Sequence, residues 1–298
     1  MPNVAVVDFS WLSHRYKNSL KELSCIKDGR QIPTGHVYGS LKFIGELSEK
    51  YSRIILCLDS HDCKRKALFS TYKSNRHKET GDWFVDYDIH KDTGNILTML
   101  SNLKNVFYVE VPGYEADDLV AHFIRRSRGW DFYFRDNDIL QTKGDYNLMV
   151  SFGQPLEVGY VVDRKKHIFE KYGIEKDWLP LLWKVVKGDP GDCIPIGLQR
   201  FPSKDLSAIC GEFEDDRPSF ESLVQCLLSH KYSGIWNEKI RQLCDKSSDD
   251  YKRLETNYFL VKPMDVEGVH LMQSSCGDIH KLFESYSIRL VDLFKRFL

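Results

Sequence analysis

Four short apolar runs, separated by segments of helical period, constrain this sequence more than any other feature. They are Val4-Ala-Val-Val-Asp8, Arg53-Ile-Ile-Leu-Cys-Leu-Asp59, Val106-Phe-Tyr-Val109 and Trp130-Asp-Phe-Tyr-Phe134. Runs this short and this continuously apolar suit strands buried on both faces, and the amphipathic segments between them (Phe9 to Lys17, Val37 to Leu47) suit crossover helices. The pattern predicts an α/β fold with a mostly parallel central sheet flanked by helices. Tyr146 to Phe152 and Leu156 to Val162 add a fifth strand and a partly exposed one, followed by a helix around His167 to Tyr172. In open sheets of this kind ligands bind beyond the carboxyl ends of the strands.

Those strand ends carry acids. Asp8 and Asp59 close the first two runs, and Asp136 and Asp138 follow the fourth in Arg135-Asp136-Asn137-Asp138-Ile139-Leu140-Gln141. After the third run, Gly113-Tyr114-Glu115-Ala116-Asp117-Asp118 opens an amphipathic segment with three carboxylates. Glu115 and Asp118, three apart, share a helix face. Asp189 and Asp192 stand in the Gly/Pro-rich turn Lys187-Gly188-Asp189-Pro190-Gly191-Asp192, with Lys184 close by. The helix dipole offsets part of the repulsion in the 115–118 run. Nine carboxylates converging on one cleft call for cations, and oxygen-only ligands suit hard ions: two Mg²⁺, with Mn²⁺ as a substitute. Two such ions are a usual device for phosphodiester hydrolysis. The bland alternative is that acids simply favour first turns and loops.

Net charge is −1, so affinity for a polyanion needs a local patch. Lys64 to Lys78 provides one: six Lys or Arg, no acid, and Phe69 and Tyr72 interleaved. That composition suits phosphate contacts and base stacking, although a solvated basic helix face has the same look. Gly81 to Thr93, acidic and aromatic without clear period, reads as a mobile excursion that closes back into a helix near Ile96 to Leu103. The eight cysteines form no C-x-x-C pair, which argues against zinc and a disulfide framework. No apolar run reaches the ~20 residues of a membrane span, so the expectation is a cytoplasmic protein with no membrane partner.

Residues 1–176 are expected to form the α/β core with its basic segment at about 64–95, and 177–298 an α-rich lobe. The lobe's helices are read at Trp178 to Val186, Lys204 to Cys210, Phe220 to Leu228, Ile235 to Leu243, Tyr251 to Leu260 and Ile279 to Leu298.

Taken together, these motifs resemble the flap endonuclease and 5′ nuclease superfamily, which includes phage 5′→3′ exonucleases and the nuclease domain of bacterial DNA polymerase I. The resemblance covers roughly residues 3 to 205. Val-Val-Asp8 and Leu-Asp59 are similar to the family's strand acids. Arg65 followed by Tyr72-Lys73-Ser74-Asn75-Arg76 resembles its Arg and Tyr-Lys-x-Asn-Arg signature at the base of a helical arch. Gly113 to Asp118, Asp136 to Gln141 and Gly188-Asp189 with Asp192 and Ile194-Pro195 match further motifs in order. The resemblance implies a two-metal hydrolase (flap endonuclease or 5′→3′ exonuclease) acting in replication or repair on a 5′ flap, 5′-ended duplex or RNA/DNA hybrid. Asp8, Asp59, Glu115, Asp117, Asp118, Asp136 and Asp138 would hold metals directly or through water, and Asp189 and Asp192 would complete the second site. Lys73 and Arg76 would contact the scissile phosphate, beside Asp117 and Asp136 as the central catalytic acids, and Tyr72 would stack a base. Arg15, Lys64, Arg65, Lys66, Asn75, Lys78 and Lys204 are further expected nucleic-acid contacts. A monomer is expected, with a clamp or single-strand binding protein as a replication partner, and the single-module form without a polymerase suits a phage protein.

Two departures stand out. Cys193 replaces the family's Asn. The helix-hairpin-helix is divergent, Gly197-Leu198-Gln199-Arg200-Phe201-Pro202-Ser203-Lys204, and Pro202 removes an N–H from the hairpin that in the family grips duplex and can hold K⁺. A PIN-like ribonuclease and a noncatalytic nucleic-acid-binding relative are the alternatives. A haloacid-type phosphatase lacks its Asp-x-Asp-x-Thr here, and a nucleotide kinase lacks its phosphate loop.

Overall fold

A computed structural model describes residues 3–77, 80–149, 161–232, 234–275 and 277–288. The chain opens with strand β1 (Val4–Asp8), every residue of it buried, and runs directly into helix α1 (Phe9–Ser19). A hairpin of β2 (Ser24–Lys27) and β3 (Arg30–Pro33) precedes helix α2 (Gly35–Lys50). Then come β4 (Arg53–Cys57), the short helix α3 (Lys64–Leu68), α4 (Thr93–Met99), β5 (Val106–Val109), α5 (Ala116–Ile124), β6 (Trp130–Tyr133) and β7 (Tyr146–Leu148). The five strands other than the hairpin form one sheet in the order β5-β4-β1-β6-β7, parallel throughout, as the unbroken apolar runs require.

Register places the site. Asp8 lies opposite Cys57, two residues short of Asp59, and Val7 lies opposite Tyr133, so the carboxyl ends of β1, β4 and β6 finish side by side. The acids that follow these strands are therefore delivered to one edge of the sheet.

The remaining elements are helical: α6 (Arg164–Tyr172), α7 (Leu182–Lys187), α8 (Ser203–Glu212), α9 (Phe220–Ser229), α10 (Trp236–Arg241), α11 (Asp249–Val261) and α12 (Ile279–Ser285). Helix α11 packs on both α7 and α3, and α12 on α4. The free edge of β5 is closed by Met272, which exchanges backbone hydrogen bonds of 2.8 and 2.9 Å with Tyr108.

Several local expectations need correction. The β2–β3 hairpin is an unexpected element. Its turn is Asp28-Gly29, with φ of 51° and 74°, the two left-handed residues that a tight antiparallel turn demands. The helix expected from Trp178 begins only at Leu182, because Pro180 disfavours helical backbone at Leu179. The stretch 64–95 contains α3 and two 3-10 turns, Ser74–His77 and Ile89–Asp92. Its acidic part is not loose: Asp86 accepts from Thr80 and Gly81, Asp82 accepts from Phe84 and Val85, and the buried Lys17 ammonium donates to the carbonyls of Val85 and Tyr87. Most of the expected strand at 156–162 lies outside the described residues, but Val162 bridges Leu148. The final helix ends at Ser285, capped by Tyr286, and residues 286–288 do not continue it as expected; the stretch past 288 lies outside the described residues. Among the described residues no helix is long and apolar enough to cross a membrane.

Candidate active site

The acidic edge is built from helix starts and tight turns. Asp8 ends β1 and caps α1, its Oδ1 accepting from the Trp11 N–H at 2.9 Å. Asp59 lies just past β4 and accepts from the Ala116 N–H, the first of α5, at 2.7 Å. Asp59 thereby holds the neighbouring helix start. Glu115 is the residue before α5, and the Asp118 carboxylate reaches back to the Glu115 N–H at 3.2 Å. Asp136 accepts from the Asp138 N–H at 2.8 Å, a turn that sets both carboxylates at the end of β6. Asp189 accepts from the Gly191 N–H at 2.9 Å. Gly188 before it has φ of 69°, and a Cβ there would come within 2.3 Å of the Pro195 carbonyl, so only glycine fits.

Charge divides these acids into two groups. Asp8, Asp117 and Asp136 repel one another. Burial, then Asp59 and Asp136, push the Asp8 carboxyl up to about 8. Burial, then Asp136 and Asp8, raise Asp117 well above the carboxylate range. Burial, then Asp136, raise Asp138 to about 7 against the pull of Lys184. The second group is already neutralised by protein cations. Burial alone would raise Glu115, but Lys73, at 2.5 Å, and Arg65 hold it down at about 2. Asp189 is lowered in spite of burial because Lys184 bonds it at 2.5 Å. Asp192 lies 3.8 Å from the Lys73 ammonium.

The basic segment is fastened to the Asp189–Asp192 turn. Lys73 has a left-handed backbone, φ 54°, and its N–H donates to the Asp192 carbonyl at 3.0 Å. Asn75 donates to the Gly191 carbonyl at 3.1 Å, and the Ser74 hydroxyl lies 3.7 Å from the Cys193 thiol. Cys193 itself has φ of 59°, a conformation in which Asn is several-fold enriched, which gives a backbone reason for the family's Asn.

Three expected roles meet geometry that opposes them. Arg65 was expected on nucleic acid, but it is 5% exposed and its guanidinium is consumed internally by Asp118, Glu115 and the carbonyls of Leu260 and Lys262. Asp118, expected on a metal, is fully buried, with both oxygens on Arg65 and one also taking the Met264 N–H at 2.7 Å. Tyr72, expected to stack a base, is 4% exposed and donates to Glu115 at 3.0 Å. Lys64 lies over the Tyr114 ring at 3.8 Å, while Lys66 and Lys204 are exposed. Arg15, half-buried, lies over Trp11. Arg76 belongs to the turn Ser74–His77, and Lys78 lies outside the described residues. At the connection between α7 and α8 the Lys187 ammonium donates to the Phe201 carbonyl at 2.8 Å.

Reasoning from sequence also missed contributors. The end of α11 and the residues after it supply three backbone groups to the Arg65–Asp118 pair, and backbone groups carry no side-chain signal. Lys184 was readable as a cation near the Asp189 turn, but its distance of 2.7 Å to Asp138 Oδ1 was not.

The donor set of the acidic edge is made of carboxylates. Among their oxygens is the buried Asp138 Oδ1, whose close neighbour is the Lys184 ammonium. Asp8 and Asp117 repel as they stand. Hard divalent ions fit that chemistry. Among the described residues no three His, Cys, Asp or Glu side chains are gathered closely enough to hold an ion unaided; Lys73 lies between Glu115 and Asp192, and Lys184 between Asp138 and Asp189.

Comparison with known proteins shows the family and the fold. The family model described as 5′-3′ exonuclease, N-terminal resolvase-like domain, matches residues 3–173. A 5′-3′ exonuclease of Aquifex aeolicus is 26% identical over 202 residues, covering 65% of this chain and 64% of that protein. Thermostable DNA polymerase I of Thermus thermophilus is 25% identical over 229 residues, covering 74% of this chain and 25% of the polymerase. The match thus spans just under two thirds of the first relative and a quarter of the second. Among solved structures, T5 5′-exonuclease with bound divalent zinc ions superposes with a TM-score of 0.62 at 15% identity, over 99% of this chain and 96% of that one. A bacteriophage T5 flap endonuclease pseudo-enzyme–product complex with DNA and metal ions gives 0.60 at 15% identity over the same shares. At such identity the likeness is one of fold.

Proposed function

The chain belongs to the 5′-3′ exonuclease family by its N-terminal resolvase-like domain, and from that membership we propose that it is a divalent-metal-dependent 5′ nuclease that hydrolyses DNA phosphodiesters. The observation that carries the reading is the convergence of Asp8, Asp117 and Asp136 at the carboxyl ends of β1 and β6 and the start of α5, where burial and the neighbouring carboxylates raise Asp8 and Asp117. Such a cluster is costly unless a cation joins it. Asp8, Asp59, Asp117 and Asp136 would hold one Mg²⁺, and Asp138, Asp189 and Asp192 a second. When bound, the ions supply a nucleophilic water and charge stabilisation at the phosphate. The curated relatives' activity and the T5 protein's capture with DNA and metal ions support the reading.

The chain's own residues do the rest. Lys73 sits on a turn tied to Gly191–Asp192 and presents an ammonium to the acidic edge, where a phosphate oxygen would take it from Glu115. Burial opposes that charge, but Glu115 and its neighbours keep the Lys73 pKa well above normal, so the group stays cationic through the reaction. Arg65 fixes Glu115 from behind. The exposed Lys66 and Lys204 extend a track for the polyanion. The role we assign is removal of 5′ flaps or primers in DNA replication or repair, in the cytoplasm.

The test is cleavage of a labelled 5′-flap duplex, with and without Mg²⁺, by the wild type, Asp117→Asn and Lys73→Ala. Metal-dependent cutting near the branch, abolished in the first variant and strongly slowed in the second, is the expected result. Binding of the flap without cleavage in Mg²⁺ or Mn²⁺ would instead mark a noncatalytic nucleic-acid-binding protein.

A further inference from the structure

Lys184 has no part in the mechanism above, yet it occupies the middle of the acidic edge. It projects from α7 with a side chain only 13% exposed, and its ammonium lies 2.7 Å from Asp138 Oδ1 and 2.5 Å from Asp189 Oδ2. The two carboxylates come from different parts of the fold, one from the turn after β6 and the other from the turn after α7. The contact with Asp189 has hydrogen-bond geometry. The contact with Asp138 is a close ion pair on a buried carboxylate oxygen. The ammonium is thus shared between the two carboxylates.

These are the oxygens that a hard divalent ion would take. An ammonium supplies one charge, strongly hydrated when free, whereas a divalent ion supplies two and prefers carboxylate ligands. At such short range the two cations repel, and the low-dielectric surroundings enlarge the effect. We propose that Lys184 is the resident counter-ion of the Asp138–Asp189 pair and competes with a divalent cation for it, lowering the affinity of that pair for metal. This rests on the metal-dependent reading given above. The pair stays assembled without metal because Lys184 bridges it. A phosphate arriving beside Asp138 offers the ammonium another acceptor and frees the carboxylates, so metal occupancy follows substrate.

The experiment is a Mn²⁺ titration of the full chain without DNA, following free Mn²⁺ by electron paramagnetic resonance, for the wild type, Lys184→Met, Lys184→Arg and Asp117→Asn. Lys184→Met is expected to tighten the weaker Mn²⁺ site about tenfold, while Lys184→Arg, which keeps the charge, stays within about threefold of the wild type; electrostatic shifts of this size accompany loss of one close charge. If Lys184→Met binds Mn²⁺ no more tightly than the wild type, or Lys184→Arg tightens it equally, the counter-ion role is overturned while the metal reading stands. A purely structural role predicts weaker binding in Lys184→Met. If the wild type takes up no Mn²⁺, or Asp117→Asn takes up as much as the wild type, the metal reading fails and this inference with it.

Discussion

The Arg65 guanidinium grips both oxygens of the Asp118 carboxylate, at 2.7 and 2.8 Å, and both side chains are buried. The same guanidinium reaches Glu115 and the carbonyls of Leu260 and Lys262. One side chain therefore joins the basic segment, the start of α5 and the end of α11. A bidentate Arg–carboxylate pair is the geometry in which a buried ion pair is best satisfied.

Removing one partner leaves the other charged, buried and unpaired. Arg65→Ala is expected to lower stability by about 3–5 kcal/mol, the range for breaking a buried pair. The double variant Arg65→Met with Asp118→Leu should recover much of that loss. Urea unfolding of the three proteins measures it; a double variant no more stable than Arg65→Ala would show that packing, and not charge, is what Arg65 provides.

The pH dependence follows from Asp8. Its carboxyl is raised from an ordinary 3.8 to about 8 in the folded chain, by burial first and then by Asp59 and Asp136. Above about 4 the unfolded chain has lost this proton and the folded chain has kept it. Folding therefore takes up a proton between about 4 and 8, and in chelator stability falls as pH rises through that window. Asp8→Asn keeps the cap on α1 and removes the charge, so it should flatten the slope and raise the melting temperature at pH 8. Mg²⁺ should raise the wild-type melting temperature at pH 8 by mass action and do so less for Asp8→Asn. Thermal melts at pH 5 and pH 8, with chelator and with Mg²⁺, compare these slopes.

How far the sequence leads can be judged at particular residues. The unbroken run Val4 to Val7 announced a strand buried on both faces, and it lies at the centre of a parallel sheet. Asp8, Asp59 and Asp136 were readable because acids at the ends of parallel strands must meet along one edge. What was hidden is pairing between distant segments. Nothing in Lys64-Arg65-Lys66 distinguishes the middle cation, whose partners lie 50 to 197 residues away, from its exposed neighbours. Composition marks a basic surface but not which member of it turns inward. The Asp28-Gly29 hairpin went unread, although Asp-Gly is among the strongest local turn signals.

Cys193 sits at φ 59°, where a side chain with a short polar end is tolerated best. Cys193→Asn is expected to stabilise the protein by roughly 0.5 kcal/mol, and Cys193→Val to destabilise it by about 1–3 kcal/mol, the range for a residue forced into this conformation. Denaturant midpoints decide it. Equal stability of the Asn and Val variants would mean that the turn relaxes to another backbone conformation.

Tyr72 separates two pictures of the basic segment. Its ring is buried and its hydroxyl donates to Glu115, which also receives Lys73 and Arg65. A tyrosine that stacked a base would act through its ring, so Tyr72→Phe would be silent and Tyr72→Ala would raise KM for DNA. In the geometry found here the hydroxyl is the working part. Tyr72→Phe removes one hydrogen bond from a carboxylate, an interaction worth about 1.5–3 kcal/mol when one partner is charged. The Glu115 carboxylate is then freer to turn, and its hold on Lys73 loosens. We expect kcat on a 5′-flap substrate to fall roughly tenfold, about 1.4 kcal/mol of transition-state stabilisation, with KM nearly unchanged. Steady-state kinetics of Tyr72→Phe and Tyr72→Ala on the same flap read both quantities, and a silent Phe variant beside an Ala variant with raised KM would return Tyr72 to the nucleic-acid surface.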